Sequence, residues 1–178
     1  MNKEEYFLEK YLKPCTKVSA KFPLEIGDDS AIISSPEDLL ISSDNSVIDV
    51  HFPRLLDAYY IAYRAVAIAA SDIIAMGAYP EGYLLNITHP DPTDQWFEKF
   101  TLGIKDFNDD YGTNLIGGDL TKGELNISVT VFGKQLDKII KRNGAKVDDD
   151  IFISNALGLG KQGYERYKKQ ILDFPNQY

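Results

Sequence analysis

The longest helical pattern in the chain runs from residue 55 to residue 76, rich in alanine and free of glycine and proline. Gly77 ends it, and Pro80 follows at the usual distance past a helix C-cap. Within it, the run AVAIAASDIIAMGA surrounds Asp72 with apolar neighbours. A carboxylate buried on such a helix loses its hydration and is costly unless paired. Two readings follow. Asp72 lies on the one wet stripe of the helix or pairs with Arg64, or it is aimed into a functional site.

The remaining elements set the fold class. Residues 3–13 read as a short amphipathic helix with Tyr6, Phe7 and Tyr11 near one face, stopped by Pro14. SAIIS at 30–34 and DLLISSDNSVI at 38–48 read as strands, with Pro36 marking the turn between them. GYLLNIT at 82–88 is strand-like. Thr93 or Asp94 caps a helix through Tyr111, in which Trp96, Phe97, Phe100, Ile104 and Phe107 repeat at helical spacing, and Gly112 ends it. Residues 114–133 read as a strand, a Lys-Gly turn and a long strand; IFIS at 151–154 is a last short strand, and a final helix over 161–173 ends before Pro175. Strands and helices do not alternate one for one. The pattern therefore predicts an α+β fold, a mostly antiparallel four-stranded sheet covered by helices, rather than a Rossmann sheet. In the strand LNISVTVF, Leu125, Ile127, Val129 and Val131 fall on one face and Asn126, Ser128, Thr130 and Phe132 on the other. One face packs on helices and the other on a twin sheet; the sequence leaves open which. Exposed sheet faces and edges invite such pairing, so a homodimer is expected.

Composition removes several function classes. The 178 residues suit one domain of ordinary size. A net charge of -8 gives no electrostatic help toward nucleic acid or anionic lipid. The single cysteine, Cys15, rules out an internal disulfide and a cysteine-based zinc site. No apolar run reaches the roughly 18 residues a membrane helix needs, and MNKEEYFLEK has no signal-peptide core. The expectation is a cytoplasmic protein with no nucleic-acid or membrane partner.

Carboxylates carry the chemistry. Asp28 and Asp29 precede SAII, Asp44 follows LLISS and Asp119 follows LIGG, each at the edge of an apolar strand. A single such Asp is usually a turn former. Several of them converging with Asp72 would repel one another unless cations intervene. Oxygen ligands without His or Cys suit Mg²⁺ before Zn²⁺, and Ser42 and Ser43 beside Asp44 would add hydroxyls. Gly117 and Gly118 before Asp119 let a backbone approach a ligand closely, as phosphate-binding turns require, although a bulge would use them too. There is no GxxxxGK[ST] and no HRD or DFG set, which excludes a P-loop protein and a protein-kinase fold.

GDDSAII, LLISSDNSVIDVHF, AVAIAASDIIAMGAYP, LIGGDLTKGELNISVTVFG and RNGAKVDDDIFIS stand in an order and spacing that resembles thiamine-monophosphate kinase, of the aminoimidazole ribonucleotide synthetase superfamily. The resemblance covers residues from about 24 to about 160 and concerns the N-terminal of the family's two domains. It implies a domain over 1–155 that binds ATP and Mg²⁺, and the start of a largely missing second domain at 156–178. It also implies a dimer in which two sheets close into a barrel. The implied reaction converts ATP and thiamine monophosphate to ADP and thiamine diphosphate. By the resemblance, Asp29, Ser42, Ser43, Asp44, Asp72 and Asp119 match the ligands of two or more Mg²⁺ ions. His51 matches the histidine that contacts the thiamine substrate, and Gly118, Asp119 and Arg142 match nucleotide contacts. No catalytic base or nucleophile is expected.

Three departures stand out. Asn45 replaces the usual Thr, Ala69 stands where many members have Asn, and NALGLGKQGY lacks the family's Gly-Asp turn after IFIS. The alternatives are another ATP-using enzyme of the superfamily, or an inert dimerisation or nucleotide-binding module. Cys15 in LKPCTKV lacks the Gly-rich setting of selenophosphate synthetase, which disfavours that relative.

Overall fold

A computed structural model describes residues 6–22, 39–141, 144–153 and 155–168. The chain divides into two compact units, Met1–Lys141 and Arg142–Tyr178. The first holds strand β1 (Leu40–Val47), helix α1 (Ala58–Ala75), strand β2 (Ala78–His89), helix α2 (Asp94–Tyr111), strand β3 (Leu115–Lys122) and strand β4 (Asn126–Gln135). The second holds helix α3 (Leu159–Lys168). The expected strand at 30–34 lies outside the described residues.

The sheet is mixed, with order β1-β4-β2-β3. β4 pairs antiparallel with both β1 and β2, but β2 and β3 run parallel. The expectation of a mostly antiparallel sheet is corrected there. β2, α2 and β3 form a strand-helix-strand crossover, and a helix between adjacent strands returns the second strand in the direction of the first. The Lys-Gly turn joins strands that do not pair; it steps over the end of β2, where the Gly123 N–H donates to the His89 carbonyl at 3.3 Å.

Alternation settles which face of β4 meets the helices. Ile127, Val129 and Val131 are fully buried, together with Tyr83, Leu85 and Ile87 of β2. Against them packs the face of α1 that carries Ile61, Ala62, Ala65, Val66, Ala69 and Ile73. α1 has the length and a mean hydropathy, 1.2, that would suffice for a membrane span, but this face lies in the core. The other sheet face divides in two. Phe22, Ile116 and Phe132 form a small apolar cluster with Leu39 and Leu84, while Ser43, Asn45, Ser128 and Thr130 make the rest polar.

Local chemistry fixes the helices. The Asp57 carboxylate accepts from the Tyr59 N–H at 3.0 Å, and the Thr93 hydroxyl accepts from the Trp96 N–H at 3.2 Å. Gly77 and Gly112, both at positive φ, end the two helices. α1 and α2 cross so closely that a Cβ on Gly103 would lie 2.2 Å from the Tyr59 carbonyl oxygen. Beside that crossing, the Tyr59 and Tyr63 hydroxyls donate to Asp106 at 2.8 Å and Asp110 at 2.9 Å. The bond to Asp106 is the main reason the Tyr59 phenol is pushed up to about 12.

The N-terminal helical path runs past Pro14 rather than stopping there. Leu8–Leu12 is a π-helix and Lys13–Cys15 a 3₁₀ turn in which Pro14 needs no donor partner. Phe7 stacks on Phe97 with centroids 4.5 Å apart. Cys15 is buried, and burial pushes its thiol up to about 11. Iodoacetamide at pH 8 should therefore leave Cys15 unmodified in the folded chain and label it fully in denaturant, as read by intact mass. Ready labelling of the native chain would contradict this packing.

In the second unit, residues 151–153 are not a strand. Ile151 is 96% and Phe152 87% exposed. A strand needs a neighbour for its ladder, and among the described residues this unit offers none.

Candidate functional site

Ser42 and Asp44 sit two apart on β1, so their side chains share a face. Their partners across the ladder, Val131 and Val129, lie on the helix-covered face of the sheet. Asp72 reaches the same place from the last turns of α1. The Ser42 hydroxyl donates to an Asp72 carboxylate oxygen at 2.9 Å. Asp44 lies about 7 Å further along the strand by its rise per residue.

Asp72 is exposed, because the end of α1 around Ser71, Asp72, Ile74 and Ala75 lies open to solvent. Asp72 thus lies on the wet stripe that the sequence allowed for. No ion pair with Arg64 forms among the described residues. Asp72 is held by a hydroxyl instead.

The other expected ligands do not gather there. Ser43 points to the opposite sheet face, donating to the Val129 carbonyl at 3.2 Å and lying 3.0 Å from the Thr130 hydroxyl. Asp119 lies on β3 opposite Asn86, on that same outer face, and accepts from the Thr121 hydroxyl at 2.6 Å. β3 and β1 are the two edges of the sheet, three strand spacings apart, about 14 Å. Within one chain the expected convergence of Asp119 with Asp72 is therefore not found. Asp29 and Arg142 lie outside the described residues. Among the described residues no three His, Cys, Asp or Glu side chains gather closely enough to hold a metal ion. What the structure joins is the Asp72 carboxylate and the Ser42 hydroxyl, with Asp44 on the same face of β1, and all three offer only oxygen donors. Such a set suits a hard cation that keeps several waters.

Gly118 has a structural reason to be glycine. Its φ is +149°, and a Cβ there would fall 1.8 Å from the Leu85 carbonyl oxygen, next to a register shift in the β2–β3 pairing. Close approach to a neighbouring strand thus accounts for this glycine without a ligand. Ala69 is fully buried in α1.

His51 lies in the turn after β1. Its Nδ1 accepts from the Val47 N–H at 3.0 Å, and the His51 main-chain N–H donates to the Val47 carbonyl at 2.9 Å. Arg54 pairs with Asp49 in the same turn and with Glu124 after β3. The sequence reading missed Arg54 and Glu124, since charge residues spaced this far apart signal nothing until the strands are ordered. They help to line a cavity of about 510 Å³, together with Ile48, Leu56, Trp96 and Leu125. It also touches Ile61, about 16 Å along α1 from Asp72, so it is separate from the carboxylate cluster.

Residues 27–135 match the family described as AIR synthase related protein, N-terminal domain. The chain belongs to this family. The thiamine-monophosphate kinase of Haemophilus influenzae is 36% identical over 154 residues, 85% of this chain and 47% of that protein. The crystal structure of thiamine-monophosphate kinase from Stenotrophomonas maltophilia K279a superposes with a TM-score of 0.80 at 32% identity, over 86% of this chain and 50% of that one. The structure of AaThiL complexed with AMPPCP and TMP superposes with a TM-score of 0.74 at 29% identity, over 85% of this chain and 50% of that one. The chain spans about half the length of the curated relatives it matches.

Proposed function

We propose that this chain is the ATP- and Mg²⁺-binding half of a cytoplasmic thiamine-monophosphate kinase, with residues 156–178 opening a second domain. The observation that carries the reading is the Ser42–Asp72 hydrogen bond with Asp44 on the same sheet face, all within motifs shared with the kinases. The complex of AaThiL with AMPPCP and TMP supports the choice of substrates.

The chemistry follows from the donor set. The acceptor phosphate of thiamine monophosphate, with a second pKa near 6, is already largely ionised at neutral pH. It needs no general base. The obstacle is repulsion between two anions. Mg²⁺ ions, when bound, neutralise that charge and favour direct in-line transfer without a phosphoenzyme. Asp44, Asp72 and Ser42 would hold one such ion, with Asp29 joining from the preceding segment. Gly118, Asp119 and Arg142 would contact the nucleotide, and His51 the thiamine.

Ser43 and Asp119 fit the same reading through a second copy. Both lie on the outer sheet face, whose apolar cluster of Phe22, Ile116 and Phe132 calls for cover. Two such faces closing into a barrel would set edge β1 of one protomer against edge β3 of its partner. The partner's Asp119 would then approach the edge of β1 on the Ser43 side, across that strand from Asp44. Sedimentation is expected to give a dimer at tens of micromolar, and a monomer there counts against the barrel.

One observation favours a narrower role for the isolated chain. The chain spans about half the length of the kinases it matches, and transfer needs both phosphates held in line whereas binding needs only part of a site. Residues 1–178 alone should bind Mg²⁺–ATP weakly and form little or no thiamine diphosphate. Robust turnover by this chain refutes the incomplete-site argument; no binding of Mg²⁺–ATP refutes the site.

A further inference from the structure

The turn after β1 is built unusually tightly for a surface segment. His51 engages both backbone groups of Val47, its ring Nδ1 accepting the N–H and its main-chain N–H donating to the carbonyl. Asp49, at φ +61°, turns the chain sharply, and its N–H donates to the Phe52 carbonyl at 2.8 Å. Phe52 is buried and anchors the turn from below. Arg54 spans from Asp49 to Glu124, which ties the turn to the β3–β4 connection.

A ring nitrogen that accepts a backbone N–H carries no proton, so in the neutral imidazole the proton sits on the other nitrogen. Nδ1 is committed to Val47, which leaves Nε2–H as the ring's donor on an exposed residue. We propose that this turn is a preset hydrogen-bond donor: His51 offers Nε2–H to an acceptor atom of the ligand, and Arg54 is the positioning residue that holds the turn in register. The proposal rests on reading His51 as a substrate contact. It adds the tautomer, the direction of the bond and the role of Arg54. The matching ligand atom is an acceptor, which thiamine monophosphate supplies on its pyrimidine ring nitrogens.

The Arg54 pairs are exposed, and exposed ion pairs contribute little to global stability. Losing Arg54 should therefore loosen the turn without unfolding the domain. Long-range ¹H–¹⁵N correlation on the labelled chain reads the tautomer directly. With only two histidines, His51→Phe assigns the signals. The expected result is an Nε2–H tautomer at His51 that becomes a mixture in Arg54→Met, while His89 is unchanged. A mixed tautomer in the unaltered chain, or an Arg54→Met spectrum identical to it, overturns the proposal. In a two-domain kinase that contains this chain, as the proposed function has it, His51→Phe should raise KM for thiamine monophosphate roughly tenfold and Arg54→Met severalfold, with KM for ATP unmoved. A fixed tautomer with an unmoved KM in His51→Phe overturns the substrate role of His51 and not the preset turn, so the two failures are told apart.

Discussion

Under the proposed function, Asp72→Asn in a two-domain kinase that contains this chain should reduce thiamine diphosphate formation by roughly a thousandfold or more, with the fold retained. Asn is nearly isosteric with Asp and can still accept from the Ser42 hydroxyl, which donates at 2.9 Å. The end of α1 is exposed there, so no packing is lost. What changes is the charge. An amide is a poor ligand for Mg²⁺, and the repulsion between donor and acceptor phosphates would no longer be offset. Thermal denaturation should show a midpoint within a few degrees of the unaltered protein. Full activity in the variant refutes the metal assignment.

The second large effect tests where Asp119 acts. Asp72→Asn and Asp119→Asn should each be inactive alone. Mixed and refolded together, they should regain about a quarter of the unaltered activity, because half of randomly formed dimers are mixed and each carries one intact site. The expectation follows from the sheet, where Asp119 is on edge β3, about 14 Å from β1 by strand spacing and on the opposite face from Asp72. If both carboxylates served one site within a chain, no mixture would recover activity. A flat zero across mixing ratios therefore refutes the shared site.

The parts of the fold that follow from local patterning were readable in the sequence. The 3.6-residue spacing of Phe97, Phe100, Ile104 and Phe107 marks α2, and the alternation of Ile127, Val129 and Val131 marks β4. Gly77 and Gly112 mark helix ends through their backbone freedom. What depends on the order of strands was not readable. The GGD motif carries no sign that it falls on the sheet edge farthest from Asp44. Nothing in IFIS says that its apolar residues would lack a neighbouring strand. For Asp72 the sequence left a wet stripe and a site-facing carboxylate both open, and only the structure shows the exposed stripe, because apolar neighbours in sequence are not neighbours in space on a helix. Ile73 is buried at 1%, whereas Ser71 and Asp72 beside it are open. The bond from Ser42 to Asp72 links residues thirty apart, and no spacing rule finds it.

The crossing of α1 and α2 bears on reactivity from a distance. Gly103 lets α2 press on the Tyr59 carbonyl, and the paired tyrosine–aspartate bonds repeat at the same four-residue step on both helices. Together they act as a notch and two pins that stop α1 from sliding along its own axis. Asp72 rides on that helix about 20 Å downstream of Tyr59. A slip of one turn, about 5.4 Å, would carry its carboxylate clear of Ser42. Ligand geometry around a small cation tolerates only about half an ångström of error. The accuracy of the proposed phosphoryl-transfer centre is thus inherited from a helix crossing that never touches the nucleotide, and the centre can be detuned there without altering any of its ligands.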